Sequence, residues 1–71
     1  MKFIPDRVEV AVGERITWVN RDFVPHTVTG KGIESGELAE LKTFSYVAKT
    51  PGEVPYICRL HPVMKGTIVA R

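Results

Sequence analysis

The 71-residue sequence lacks several features, and each absence excludes a class of protein. It contains one cysteine, so an intrachain disulfide is impossible, and the paired cysteines of common zinc modules are missing. No apolar run approaches the roughly 20 residues that a membrane-spanning helix requires. The first residues, MKFIPDRVEV, lack the apolar core of a secretory signal peptide. Membrane insertion is therefore not expected.

The sequence also has little excess of positive over negative charge. Ten Lys and Arg residues stand against eight Asp and Glu, for a net charge of +2. The basic residues are spread from Lys2 to Arg71 without a run or interleaved aromatics, so nucleic-acid binding is not expected. At this length a chain buries only about 60% of its unfolded surface, so we predict one domain, residues 1–71, that a bound metal could stabilise.

Apolar residues recur at every second position in RVEVAV, RITW and TFSY, which is the periodicity of β-strands. Turn-forming residues separate these segments, notably around Gly13, Gly30 to Gly32 and Pro51-Gly52. The pattern predicts an all-β antiparallel sandwich with strands at about 2–4, 7–12, 15–20, 26–30, 42–48, 54–58 and 66–70. The window 36–41 favours a helix but is too short to form one alone, so we expect a turn or loop there.

The stretch CRLHPVMKG gathers the cysteine, one of the two histidines and a methionine. Cys58 ends the apolar strand VPYIC, and the chain returns at Gly66 into the strand GTIVA. Cys58, His61 and Met64 are spaced three apart, which in a turn-rich segment can direct all three side chains to one side. This spacing predicts three ligands of a metal site.

The other histidine, His26, supplies a fourth donor. Pro25 has a fixed φ and favours an extended residue before it, so the backbone that enters His26 is stiff. Two imidazoles, a thiolate and a thioether form the donor set of blue-copper electron-transfer sites. Zinc fits the His and Cys donors, but nothing in its chemistry requires the thioether. The set has no open coordination position, and no catalytic triad accompanies it, so we expect a carrier and not an enzyme.

The chain resembles the cupredoxins, the type 1 blue copper proteins, and within them most closely the amicyanin group. The segment FIPDRVEVAVGERITWVN is similar to the first strands of that family, and VPHTV to its Pro-His segment. TFSYVAKTPGEVPYICRLHPVMKGTIV is similar to its C-terminal hairpin, in which two residues separate His61 from both Cys58 and Met64. The resemblance implies a compact Greek-key β-sandwich of seven to eight strands with a reduced edge.

The resemblance further implies one copper ion, Cu(I) or Cu(II), held by His26, Cys58, His61 and Met64, and one-electron transfer. It implies export, for example to the periplasm, and a monomer whose redox partners, a dehydrogenase or a c-type cytochrome, dock at the His61 end. By the same resemblance His61 is expected to be protonated and released at low pH in the reduced state.

Two departures from the family pattern concern hydrogen bonds near the site. Thr27 follows the first histidine where Asn is common, so a bond that braces the ligand loop is expected to be weakened or replaced. Leu60 stands where amicyanins have proline, which leaves one more backbone N–H near the thiolate and alters the potential. Asn20, in the turn before Pro25, is a further candidate for bracing the ligand loop.

Other functions fit the same residues. A copper delivery, storage or sensing module, or a detached domain of a multicopper enzyme, would use similar donors, and a zinc-stabilised or metal-free interaction domain would not form a coloured copper complex. For a carrier, His61 would be ringed by the apolar residues Leu60, Pro62 and Val63. Arg59 and Lys65 flank this patch, which predicts a preference for acidic partners and a rate that falls with salt.

Overall fold

The structure, a computed structural model that describes residues 2–71, consists of seven β-strands in two sheets. The strands are β1 Arg7–Val10, β2 Arg15–Val19, β3 Thr29–Gly30, β4 Ile33–Glu34, β5 Thr43–Val47, β6 Gly52–Cys58 and β7 His61–Ala70. One sheet has the order β1-β7-β6-β3-β4, and the other pairs β2 with β5. The predicted all-β sandwich is confirmed. Between residues 2 and 71 there is no helix long and apolar enough to cross a membrane.

The core lies between the two sheets and follows from the alternation of side chains along the strands. Its buried members are Ile16, Val28, Ile33, Tyr56 and Ile68. Trp18 lies two residues after Ile16 and therefore on the same face of β2. Its ring packs edge-on against the Tyr56 ring, with the centroids 5.4 Å apart. Trp18 therefore contributes to packing, as its position on a strand predicts. Burial of side chains of this size stabilises a fold by about 1.5–3 kcal/mol each.

The β6–β7 hairpin brings the cysteine and the second histidine to one end of the sandwich. Ile57 pairs with Lys65, but the next residue, Cys58, pairs with His61, so residues 62–64 of β7 have no partner in β6. This irregularity is a bulge, and bulges re-aim side chains at the ends of strands. Because His61 and Met64 are three apart, a regular strand would place them on opposite faces, and the bulge removes that constraint.

The hairpin also depends on one glycine. A Cβ atom at Gly66 would overlap the ring of Tyr56, which lies beneath this part of β7. The absence of a side chain at Gly66 lets Tyr56 pack two residues before Cys58 and hold that end of β6 in the core.

Several details of the predicted strands are wrong. The strand predicted at 66–70 begins at His61, because residues 61–65 continue β7 past the register shift with β6. Residues 2–4 do not form a strand. The apolar Phe3 instead packs against the core from irregular backbone, with its ring edge-on to that of Tyr56 and the centroids 4.8 Å apart. The predicted strand 26–30 is reduced to β3, and His26 forms an isolated bridge with Leu38. The short strand β4 was not predicted, because its two residues give no periodic signal. The sandwich is also not wholly antiparallel, since β1 pairs with β7 in parallel.

Candidate metal centre

The side chains of His26, Cys58 and His61 converge on one point. Their possible ligand atoms all lie within 4.8 Å of one another. The Cys58 sulfur is 3.6 Å from Nδ1 of His26 and 3.8 Å from Nδ1 of His61. Met64 is buried and lines the same cleft as His26. The structure thus brings the four predicted site residues to one end of the sandwich.

His26 is held by its own backbone and by its ring. Its N–H donates to the carbonyl of Leu38 at 3.1 Å, and its carbonyl accepts from the N–H of Leu38 at 2.7 Å. The ring nitrogen Nε2 lies 2.7 Å from Oδ2 of Asp22. A carboxylate only accepts hydrogen bonds, so Nε2 carries the proton and Nδ1 faces Cys58. Burial opposes a charge on His26, but the contacts with Cys58 and Asp22 outweigh it and raise the pKa of the imidazole.

Asp22 is the residue near the site that sequence reasoning missed, because a polar turn already accounts for the segment Asn20 to Asp22. A carboxylate that holds the outer nitrogen of a ligand histidine fixes its orientation and increases its basicity. The signal in the sequence was the presence of an aspartate four residues before a Pro-His ligand. Because this segment is neither helix nor strand, the spacing alone does not predict that the Asp22 and His26 side chains meet.

Asn20 braces the loop that carries His26 and not the loop that carries Cys58. Its Nδ2 donates to the carbonyls of Val24 at 2.9 Å and Leu38 at 2.8 Å. Its Oδ1 accepts from the N–H of Asp22 at 2.8 Å. The buried Asn20 side chain therefore fixes both the residue that contacts the His26 ring and the segment that pairs with the His26 backbone.

The thiol of Cys58 is fully buried and surrounded by donors. The N–H of Thr27 donates to its sulfur at 3.4 Å. Burial alone would raise the pKa of Cys58, but the hydrogen bond from the Thr27 backbone, the contacts with the His26 and His61 rings and the nearby Leu60 backbone lower it to about 6. Leu60 thus supplies the extra N–H that the missing proline leaves available. The pocket favours a thiolate, the form in which cysteine binds metals.

Thr27 supplies a hydrogen bond that braces the Cys58 loop, in place of the one expected from Asn at this position. Its Oγ1 accepts a hydrogen bond from the N–H of Arg59 at 2.8 Å, immediately after Cys58. Thr27 is itself fully buried. One residue therefore ties the His26 segment to the Cys58 loop twice, through its backbone and through its side chain.

His61 differs from His26 in being partly exposed. Its ring centroid lies 5.1 Å from that of His26. The residues around it include Leu60, which is 39% exposed, and Val63, which is 86% exposed. The structure also exposes Phe23, three residues before His26, at 91%. The site therefore reaches the surface through His61, at an end that carries several apolar side chains.

The donor atoms fit a single metal ion. Around a first-row ion with bonds of about 2.0 Å to nitrogen and about 2.3 Å to sulfur, neighbouring nitrogen and sulfur donors lie roughly 3.5–3.7 Å apart. The two sulfur–nitrogen distances, 3.6 and 3.8 Å, agree with this separation. The soft thiolate and the buried thioether nearby favour copper among the common ions. His26, Cys58, His61 and Met64 form a candidate copper-binding site.

Comparison with known proteins gives a consistent result. The chain is 37% identical to amicyanin-alpha of Methylorubrum extorquens over 76 aligned positions, which cover 97% of this chain and 64% of the relative. It is 32% identical to the amicyanin of Paracoccus denitrificans, with 97% of this chain and 58% of the relative covered. The chain thus spans about three fifths of the length of these curated relatives. No family model matches the sequence.

Solved structures agree over the whole chain. A Cu(I) form of an amicyanin variant superposes with a TM-score of 0.95 at 28% identity, covering 100% of this chain and 74% of the other. The oxidised state of a second amicyanin variant gives the same TM-score, identity and coverage.

Proposed function

The chain belongs to the cupredoxin family, and from this premise we propose that residues 1–71 form one blue copper domain that carries single electrons. The ligands would be His26, Cys58, His61 and Met64, and copper would supply the chemistry by alternating between Cu(I) and Cu(II). The observation that supports the proposal best is the convergence of a buried thiol and one nitrogen of each of two imidazoles within 4.8 Å.

The protein contributes a fixed environment for these ligands. Asp22 holds the His26 ring, and Thr27 ties the His26 segment to the Cys58 loop. Cys58 is held as an anion by hydrogen bonds from backbone N–H groups, which need no reorganisation when charge at the site changes. A site that does not move between two oxidation states suits an electron carrier. We therefore propose a carrier and not an enzyme.

A role in copper delivery is the alternative that the burial of the ligands disfavours. Delivery requires ligands that a partner can reach and displace. Cys58 is 0% exposed and Met64 is 3% exposed, so only His61 is accessible. The structure offers no such exchangeable donor set among residues 2–71.

We propose that redox partners dock at the His61 face, which we define as His61 with Leu60, Pro62 and Val63. Weak redox encounters use small interfaces, and a face of this size suits one. Arg59 was expected to attract acidic partners, but it forms an ion pair with Glu34 at 3.0 Å. Of the two basic residues that flank the face, only Lys65 then lacks an ion pair within residues 2–71. The association rate is therefore expected to fall with ionic strength, but only moderately. By family membership we propose a dehydrogenase or a c-type cytochrome as partner, export to the periplasm and a monomeric state.

Voltammetry of the copper-loaded protein, combined with a chelator challenge, tests the proposed function. A carrier gives a reversible one-electron wave and rapid self-exchange, and it retains Cu(I) against a competing chelator. Irreversible voltammetry with immediate transfer of Cu(I) to the chelator would instead indicate delivery.

A further inference from the structure

A closed ring of hydrogen bonds lies beside the Cys58 loop and involves no metal-ligand atom. The Arg59 N–H donates to Oγ1 of Thr27 at 2.8 Å, and that oxygen lies 2.9 Å from Oγ1 of Thr29. The Thr29 hydroxyl donates to Oε1 of Glu34 at 3.1 Å. The Arg59 guanidinium returns to Glu34, with Nε 3.0 Å from Oε1 and Nη2 3.0 Å from Oε2. We call Thr27, Thr29, Glu34 and Arg59 the Glu34 clamp.

The carboxylate sets the direction of every bond in the clamp. Because Glu34 can only accept, the Thr29 hydroxyl must donate to it, and Thr29 then accepts from the Thr27 hydroxyl. The Thr27 oxygen is left to accept from the backbone of Arg59. All the bonds thus point towards one anion, an arrangement in which hydrogen bonds polarise and strengthen one another.

The Arg59–Glu34 pair differs from an ordinary surface ion pair. Single exposed pairs contribute little to stability, but two-point arginine–carboxylate contacts within a network are an exception. Glu34 also accepts from the N–H of Gly36 at 2.8 Å. These bonds, from Arg59 first and then Gly36, lower the pKa of Glu34 to about 2, so the anion persists across the neutral and mildly acidic range.

Arg59 lies between two of the proposed ligands, so restraining it restrains both. It directly follows Cys58 and begins the two-residue turn, Arg59 and Leu60, that leads to His61. Thr27, which accepts from the Arg59 backbone, also donates its own N–H to the Cys58 sulfur at 3.4 Å. Fixing both the backbone and the side chain of Arg59 therefore limits how far Cys58 and His61 can move apart.

We propose that Glu34 is a positioning residue which, through Arg59, holds the Cys58–His61 turn in its ligating conformation before metal binds. This inference rests on the proposed function for its purpose, because a preformed turn reduces the movement required of the copper ligands. It assigns a role to the short β3–β4 hairpin, the element on which Thr29 and Glu34 lie.

Native-state hydrogen exchange of the metal-free protein tests the clamp. In Glu34→Ala the Arg59 amide is expected to exchange about tenfold faster than in the wild type, since a charged network near it is lost. The Ile68 amide in the core of β7 should be unchanged. The matched control is Glu9→Ala: Glu9 is also exposed and also pairs with arginines, Arg7 and Arg71, but it lies on β1.

A second variant approaches the clamp from its other side. Arg59→Met should accelerate exchange of the backbone amide at position 59 to a similar extent, after correction for the intrinsic rate of the new residue, and the double variant Glu34→Ala with Arg59→Met should add little. With copper bound, both single variants should shift and broaden the thiolate-to-copper absorption band, whereas a contact that only stabilises the fold would leave the band in place.

Unchanged exchange at Arg59 in Glu34→Ala, or an equal effect in Glu9→Ala, would overturn the clamp. Uniform acceleration that includes Ile68 would also overturn it, because the role would then be general stability. If the wild type formed no intense copper band, the proposed function would fall, while the exchange data, collected without metal, would still decide whether Glu34 positions the turn.

Discussion

The two histidines of the site are held in contrasting ways. His26 is 6% exposed, its backbone is paired with Leu38, and its outer ring nitrogen contacts Asp22. His61 is partly exposed and follows a two-residue turn, and among residues 2–71 its ring has only the Cys58 sulfur as a hydrogen-bond partner. The His26 side of the site is thus buried in the sandwich, and the His61 side lies at its surface.

This contrast separates two requirements of an electron carrier. The buried side keeps the donor atoms in place, because moving His26 would break bonds to Asp22 and to Leu38. The exposed side provides an edge of the site that a partner can approach without a conformational change. The same exposure makes the His61 side the one that solvent and small molecules can reach.

Removal of either histidine side chain should abolish the copper site, but added imidazole should restore the site in only one of the two variants. His26→Gly and His61→Gly are both expected to abolish the intense thiolate-to-copper band. Added imidazole should restore the band in His61→Gly, where the vacated position opens to solvent, and not in His26→Gly. Absorption spectra at increasing imidazole concentration measure this. Equal rescue of both variants would show that the two sides do not differ in access.

The thiol between the two histidines should titrate far below an ordinary cysteine. In the metal-free protein the pKa of Cys58 is lowered from 9.0 to about 6. Because the folded-state pKa is the lower one, stability should rise with pH between about 6 and 9, by roughly 1.4 kcal/mol per pH unit, relative to Cys58→Ser. The stabilisation that the Cys58 thiolate contributes should be fully lost once the pH falls through about 6.

Thiolate absorbance and urea unfolding of the two proteins measure the titration and the stability difference. A thiolate that appears only near pH 9 would contradict the donor-rich pocket described for Cys58.

Asp22→Asn should weaken the buried side selectively. The amide keeps the shape but removes the charge that supports His26, so copper affinity should fall by about 10- to 100-fold. Competition with a chelator measures the change, and Glu40→Gln, which removes a charge from an exposed loop residue, is the control. An affinity equal to that of the control would mean that the backbone pairing with Leu38 is sufficient to hold His26.

Leu60→Pro should produce the smallest effect and should act on the exposed side. Proline removes the backbone N–H at position 60 that helps to lower the pKa of Cys58, so the thiolate becomes a stronger donor and the oxidised state is favoured. One such bond is worth about 1 kcal/mol, on the order of 40 mV for one electron, and the reduction potential should fall accordingly. Voltammetry at neutral pH measures it, and a rise in potential would refute the role given to Leu60.

The donor residues could be predicted from the sequence because their chemistry is unusual. One cysteine, two histidines and a methionine at close spacing have few common roles, and the strand pattern placed Cys58 at the end of β6. Leu60 could also be interpreted, since a missing proline has a defined consequence for a backbone N–H.

The supporting residues could not be predicted in the same way, because they act through contacts across the chain. Glu34 bonds to Arg59, 25 positions away, and lies on a two-residue strand that has no periodicity. Asp22 lies in an irregular turn, where spacing does not determine which side chains meet. The parallel pairing of β1 with β7 likewise joins the two ends of the described chain.

The most direct test of the copper site is the visible absorption spectrum after addition of one equivalent of Cu(II), recorded with and without a reductant. The arrangement of His26, Cys58, His61 and Met64 predicts an intense thiolate-to-copper band that bleaches on reduction and returns on oxidation, and that is absent in Cys58→Ser. A colourless or faintly blue product from the wild type would contradict it, because Cys58 would then not be a copper-bound thiolate.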